Sequence, residues 1–221
     1  MISLPPMALP SGAWEALFPR ALTLIAEVRT HGGMDDPFWT LGGGTVLMFR
    51  YRHRLSKDID IFVPDPQYLG FVSPRLSDVA ASLTEDYTEA SDAFVKLQFE
   101  EGEVDFVAAP NLLDDAWEMW SIGGHTVRVE KAAEIIAKKM YHRGNRATAR
   151  DLFDLALVIE REPASLRLAK PFLIRHRQAF LEQVRHPHPT LRAGFDAIAT
   201  LDYTPSFEGC VEVAEHFLDG L

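Results

Sequence analysis

Gly42-Gly43-Gly44-Thr45, followed thirteen residues after Thr45 by Asp58-Ile59-Asp60-Ile61-Phe62-Val63, decides how the first half of the chain reads. The second stretch alternates. Side chains on a β-strand repeat every two residues, so Ile59, Ile61 and Val63 share one side and Asp58 and Asp60 the other. The apolar side belongs to a core. The other side carries two carboxylates roughly 7 Å apart at Cα. Their oxygens can converge on one divalent cation, which takes ligands from one or two carboxylates plus substrate phosphates. The glycine stretch ends a short apolar run, Phe38-Trp39-Thr40-Leu41, and precedes a helical pattern from Thr45 to Arg52. Glycine lets a backbone turn sharply and approach a ligand closely. The helix start that follows offers unpaired N–H groups and a positive dipole end to phosphate. Thr45 either adds a hydroxyl donor or caps the helix.

Working outward, 94–100 and 103–108 read as two strands joined at Glu101-Gly102. Val104 and Phe106 take the core side of the second, which leaves Asp105 opposite. If that strand lies beside 58–63, Asp105 joins the first two carboxylates; Glu103, on the same face, is the alternative third acid. Three acids on one sheet face can hold two metals about 4 Å apart and deprotonate an attacking hydroxyl. A glycine turn, then Asp-x-Asp, then a lone Asp is the layout for attack on the α-phosphate of a nucleoside triphosphate. Helices are predicted over 13–30 and 75–86 and a short strand over 126–129. From Glu130 onward helical patterns dominate, over 131–143, 148–160, 170–184, 190–200 and 208–218. The expected fold class is α+β: a small mixed sheet with flanking helices over 1–130, then a helical C-terminal domain over 131–221.

The composition, 47% hydrophobic and 24% charged over 221 residues, excludes a disordered chain. Cys210 has no second cysteine to pair with, which excludes a disulfide scaffold. No apolar run approaches the ~20 residues of a membrane span. Met1-Ile2-Ser3-Leu4-Pro5-Pro6 lacks the features of a signal peptide, so a cytoplasmic location is expected. A net charge of −10 argues against a nucleic-acid partner. Its distribution weakens that argument: nine of the 22 Lys and Arg fall in two windows, 50–57 and 138–150. In the second window Lys139 and Arg143 share a helix face. Thr148-x-x-Asp151 has the form of a capping box, with Asp in place of Glu. Arg150 and Asp154, four apart, are expected to form a surface ion pair. His53, between two arginines, reads as a phosphate contact or a solvated residue. His186-Pro187-His188 lacks metal-ligand spacing.

Two blocks resemble a known family. Leu41-Gly42-Gly43-Gly44-Thr45-Val46-Leu47 with His53-Arg54-Leu55-Ser56-Lys57-Asp58-Ile59-Asp60-Ile61-Phe62 is similar to the signature of the AbiEii/AbiGii-type nucleotidyltransferase toxins, members of the polymerase-β-like nucleotidyltransferase superfamily. Ile135-Ile136-Ala137-Lys138-Lys139-Met140-Tyr141-His142-Arg143 with Arg150-Asp151-Leu152-Phe153-Asp154-Leu155 matches as well. The resemblance spans about 40–155. It implies that Gly43, Gly44 and Thr45 hold a triphosphate, with Arg54, Ser56, Lys139 (or Lys138), Arg143 and Asp151 in the nucleotide site. It also implies that Asp58, Asp60 and Asp105 bind Mg²⁺, or Mn²⁺, in a two-metal site. The chain departs from the family at Arg52, where Gly often precedes His-Arg. The function so implied is transfer of a nucleoside monophosphate from a triphosphate to a hydroxyl acceptor such as RNA or tRNA, in a toxin that has an antitoxin partner. The alternative is a catalytically silent member that binds nucleotide or a partner. A metal-dependent glycosyltransferase is disfavoured, because only 57 residues precede Asp58.

Overall fold

The computed structural model describes residues 2–3, 5 and 8–221. Residues 1, 4, 6 and 7, part of the opening stretch read above for a leader, lie outside the described residues. The chain forms two compact units. One comprises Met1–Arg50, Ser56–Asn111 and Trp117–Val129; the other comprises Tyr51–Leu55, Leu112–Ala116 and Glu130–Leu221.

The first unit is built on a mixed sheet. Its strands are β1 (Ile2–Ser3), β2 (Thr40–Gly42), β3 (Ile59–Val63), β4 (Tyr87–Ala90), β5 (Phe94–Gln98), β6 (Glu103–Ala108), β7 (Trp117–Ile122) and β8 (His125–Glu130), in the order β1-β7-β8-β2-β3-β6-β5-β4. The alternation read from sequence holds at β3, where Ile59, Ile61 and Val63 are buried and Asp60 and Phe62 are half-buried. β3 runs parallel to β6 with Asp60 opposite Asp105, and β6 pairs antiparallel with β5 with Asp105 opposite Lys96. Helix α1 (Trp14–Gly32) packs on β3 and β6 with Leu17, Phe18, Ala21, Leu24 and Val28 buried. Helices α2 (Gly43–Tyr51), α3 (Leu69–Val72) and α4 (Asp78–Leu83) complete this half. Strand β7 escaped the sequence reading although Gly123 (φ 56) and Gly124 (φ 82) close it onto β8. Two consecutive left-handed glycines are the signature of a tight hairpin turn, because glycine adopts φ > 0 without the steric cost that a β-carbon brings.

The second unit is helical: α5 (Ala132–Arg143), α6 (Ala149–Arg161), α7 (Pro163–Leu168), α8 (Lys170–Leu173), α9 (Arg177–Arg185), α10 (Pro189–Asp196) and α11 (Phe207–Asp219). Helix α6 buries Leu152, Phe153, Leu155, Ala156 and Ile159 against α5, α10 and α11. The single helix expected over 170–184 is two helices. The chain leaves helical geometry at His176 (φ −116, ψ 16). There Gly144 lies so close that a β-carbon on it would fall 3.0 Å from His176 Cβ. The helix expected over 190–200 is also shorter, because the chain beyond it pairs with 52–55. Leu55 N–H donates to Ala199 O at 2.8 Å, Leu201 N–H to His53 O at 2.9 Å and Asp202 N–H to Arg52 O at 2.7 Å. Among the described residues, no helix is long and apolar enough to cross a membrane.

Candidate active site

Gly43 opens α2 with φ 68, a conformation that an L side chain adopts only with strain. The reason for glycine here is steric as well. A β-carbon on Gly43 would sit 1.9 Å from Asp60 Oδ2, since Gly42 and Asp60 are cross-strand partners between β2 and β3. The glycine turn and the Asp-x-Asp strand therefore abut, as their order in sequence suggested. The Thr45 side chain neither caps the helix nor reaches outward: its hydroxyl donates to Asp58 O at 2.5 Å, tying the start of α2 to the entry of β3. Gly43→Ala is expected to destabilise the protein by at least about 1–2 kcal/mol through the left-handed conformation and to displace the Asp60 carboxylate. A thermal melt that matches wild type would refute this.

The acids form two rungs across three strands. Asp60, Asp105 and Lys96 occupy one. Glu103 and Gln98 lie opposite each other on the next, where Glu103 N–H donates to Asp58 Oδ1 at 3.2 Å. Lys96 Nζ bridges Glu103 Oε2 at 2.5 Å and Asp105 Oδ2 at 3.0 Å. Gln98 Nε2 donates to Glu103 Oε1 at 2.9 Å. Both Glu103 oxygens are thus engaged, whereas Asp105 Oδ1 is buried with no hydrogen-bond partner. Burial, with the neighbouring Asp60 charge added, pushes the Asp105 carboxyl up to about 7 despite the Lys96 ammonium. Two carboxylates crowded on one rung, one with an orphaned buried oxygen, suit a hard cation. Asp58 is turned toward Glu103, and among the described residues no three His, Cys, Asp or Glu side chains form a ready-made metal cage. A cation on this face would have to take its remaining ligands from what it arrives with.

The second unit gathers the residues of the other matching block into one buried charge network. Asp154 is fully buried. Its Oδ1 accepts from Arg54 Nε at 2.7 Å and lies 2.9 Å from His53 Nε2; its Oδ2 accepts from Arg54 Nη2 and from Lys139 Nζ, both at 2.8 Å. The surface pair expected between Arg150 and Asp154 is therefore not formed: Asp154 points inward to a two-pronged guanidinium contact. His53 is 0% exposed, so it is neither solvated nor a phosphate contact. Burial holds its pKa down, against the opposing pull of Asp154. The neutral ring gives its Nε2 proton to Asp154 and leaves Nδ1 buried and unpartnered. Lys139 also reaches Asp151 Oδ1 at 3.0 Å, and Arg143 Nη2 reaches the same oxygen at 2.6 Å. The capping box is present: Asp151 Oδ2 accepts from Thr148 N–H at 3.0 Å, and Thr148 Oγ1 accepts from Asp151 N–H at 3.4 Å. Lys138 is 4% exposed and held by Glu130 at 2.6 Å and Glu134 at 3.5 Å, which turns it away from this cluster.

Arg52 has φ 49, a positive value rare for a residue with a side chain. It is a left-handed arginine, with its Nε on Asp202 Oδ2 at 3.0 Å. Arg54 is buried by its contact with Asp154, and the half-buried Ser56 gives its N–H to Met48 Sδ at 3.3 Å. Cys210 is buried, which pushes its thiol up to about 12. Lys96 is the contributor that the sequence reading missed. Its signal was present: in Phe94-Val95-Lys96-Leu97-Gln98 the lysine falls on the polar side of an alternating strand.

A sequence model described as the nucleotidyl transferase AbiEii toxin of a type IV toxin–antitoxin system matches residues 31–219. No curated protein matches the sequence. Among solved structures, the chain is similar to MenT4, a nucleotidyltransferase toxin from Mycobacterium tuberculosis H37Rv, at 20% identity and TM-score 0.51, covering 91% of this chain and 84% of that one. It is also similar to JHP933 from Helicobacter pylori, at 18% identity and TM-score 0.48, covering 96% and 95%. The family match spans most of the chain and takes in both the sheet that carries the acids and the helices that carry the charge network: the chain belongs to the AbiEii family of nucleotidyltransferase toxins.

Proposed function

We propose that the face formed by Asp58, Asp60 and Asp105 transfers a nucleoside monophosphate from a triphosphate to a hydroxyl of RNA, with tRNA as the leading acceptor. The carrying observation is the cross-strand pair of Asp60 and Asp105 beside the Gly43 turn, with Asp105 Oδ1 buried and unpartnered. The triphosphate lies along the start of α2, where Gly43, Gly44 and Thr45 present main-chain N–H groups without intrahelical partners. Asp58, Asp60 and Asp105 are the residues that would hold Mg²⁺, or Mn²⁺, in a two-metal site. Bound there, the metal neutralises triphosphate charge and eases both attack at the α-phosphorus and departure of pyrophosphate. The acceptor hydroxyl's oxygen bonds to the α-phosphorus as the bond to pyrophosphate breaks, and the hydroxyl proton passes to solvent. Arg54, Lys139, Arg143 and Asp151, which the resemblance assigns to the nucleotide site, are engaged with one another and with Asp154 inside the second unit, and Ser56 lies on the segment entering β3. Membership of a type IV toxin–antitoxin family implies an antitoxin partner.

The test is incubation with total RNA, Mg²⁺ and each α-labelled triphosphate in turn. Label is expected on RNA, with one pyrophosphate released per nucleotide added. Mg²⁺-dependent triphosphate binding with no pyrophosphate release would establish the silent-binder reading instead. Label on the protein itself would overturn the acceptor.

A further inference from the structure

Lys96 stands opposite Asp105 on β5, one strand beyond the Asp60–Asp105 pair. An ordinary exposed cross-strand ion pair contributes only a few tenths of a kcal/mol. Three observations set this one apart. First, its Nζ is shared between Glu103 Oε2 at 2.5 Å and Asp105 Oδ2 at 3.0 Å, a two-point contact that a swinging surface lysine does not keep. Second, Glu103 is itself fixed from its other oxygen by Gln98 Nε2 at 2.9 Å, so the ammonium rests on a carboxylate that cannot turn away. Third, the Asp105 oxygen that Lys96 does not hold is the buried, unpartnered Oδ1. The carboxylate is planar, so holding Oδ2 sets the direction of Oδ1.

We propose that Lys96 is a positioning residue of the nucleotidyl-transfer site. Pinned by Glu103, its ammonium orients Asp105 and supplies the internal counter-charge for the carboxylates of Asp60, Glu103 and Asp105. The site then takes up a divalent ion together with the triphosphate rather than ahead of it. The inference rests on the reading of Asp58, Asp60 and Asp105 as the metal-binding face, and it concerns how strongly that face binds metal when no nucleotide is present. Without the ammonium, the ion would meet a face with one more uncompensated negative charge. The metal would bind by itself, and both Asp105 oxygens would be available to it.

The experiment is Mn²⁺ titration of the full chain without nucleotide, read by electron paramagnetic resonance of the unbound ion. Lys96→Met is expected to tighten Mn²⁺ binding about tenfold, a modest value for one unit charge a few ångströms away after screening. Lys96→Arg keeps the charge and is expected to stay within about threefold of wild type. Glu103→Gln removes one negative charge and leaves the ammonium wholly to Asp105, so binding should weaken several-fold. Lys96→Gln, a neutral polar replacement, carries the test where Lys96→Met does not fold. A purely structural lysine would give unchanged Mn²⁺ affinity in the neutral Lys96 variants, and that result overturns the inference while the parent reading stands, provided Asp60→Asn abolishes binding. Wild-type binding that survives Asp60→Asn overturns both.

Discussion

Asp60→Asn is expected to abolish nucleotidyl transfer, by about 10³-fold or more, while leaving the fold as stable as wild type or slightly more so. The first half follows from charge. Asparagine keeps the shape and the hydrogen-bonding reach of the side chain but removes the anion that a metal-bound triphosphate needs. Loss of a principal electrostatic stabiliser in a preorganised site costs a rate factor of this order. The second half follows from the register. Asp60 and Asp105 are cross-strand partners of like charge, and the Asp60 charge helps to push the Asp105 carboxyl up. Removing Asp60's charge relieves that repulsion in the unliganded protein. Activity lost without stability lost marks a group kept for chemistry rather than for folding. Pyrophosphate release and labelled RNA measure the first half, and thermal denaturation the second. Glu103→Gln is the reference: with both its oxygens engaged by Lys96 and Gln98, Glu103 is a support, and its loss should reduce turnover no more than about tenfold. A melting temperature for Asp60→Asn several degrees below wild type would contradict the argument.

Much of the acidic face was legible because strand alternation and glycine sterics are local. The two-residue period placed Asp60 opposite the core from the spacing of Ile59, Ile61 and Val63. Pairing of β3 with β6 was stated as a condition, and the structure meets it with Asp60 opposite Asp105. Sequence could not rank Asp105 against Glu103. That depends on Lys96 and Gln98, which reach this face only through the register of β5 on β6. The capping box at Thr148 and Asp151 was legible for the same local reason.

The basic windows look different in space than along the chain. Between Lys138 and Arg150 no acid intervenes, so the stretch reads as a positive surface for phosphate. In the fold Lys138 turns to Glu130 and Glu134, and Lys139 and Arg143 turn to Asp151. Helix geometry brings to one place charges that are distant in sequence, so a cluster of one sign along the chain need not be one in space. The same holds for Arg54, whose partner Asp154 lies 100 residues away. The segment over 199–202, for which sequence suggested no role beyond a helix end, proves to be the main-chain partner of 52–55.

Asp154→Ala is expected to destabilise the protein by about 3–5 kcal/mol, against less than about 1 kcal/mol for Asp202→Ala. The two carboxylates make the comparison because each pairs with an arginine of the same short segment. Asp202 meets Arg52 in solvent, with both side chains more than a third exposed, and exposed pairs contribute little after screening and side-chain entropy. Asp154 and Arg54 are 0% and 3% exposed. Removing one member of a buried pair leaves the other as an uncompensated charge, which costs far more than the pair itself contributes. Here the alanine would strand the Arg54 guanidinium, withdraw one of the two acids on Lys139 and take away the acceptor of the His53 Nε2 proton. The pH dependence carries the same signature. Burial by itself would raise the Asp154 carboxyl. The charges of Arg54 and Lys139, with the hydrogen bonds from His53 and Arg54, outweigh it and hold the carboxyl well below the ordinary range. A depressed native pKa contributes stability that is present above the unfolded value, near 4, and is lost as pH falls below it toward the native value. Wild type should therefore lose stability steeply below about pH 4, and Asp154→Ala should show a shallower slope there. Denaturant titrations of both variants and wild type at pH 7 and across the acid limb would measure both effects. Equal losses for Asp154→Ala and Asp202→Ala, or parallel acid limbs, would show that the network does not hold 51–55 to α5 and α6.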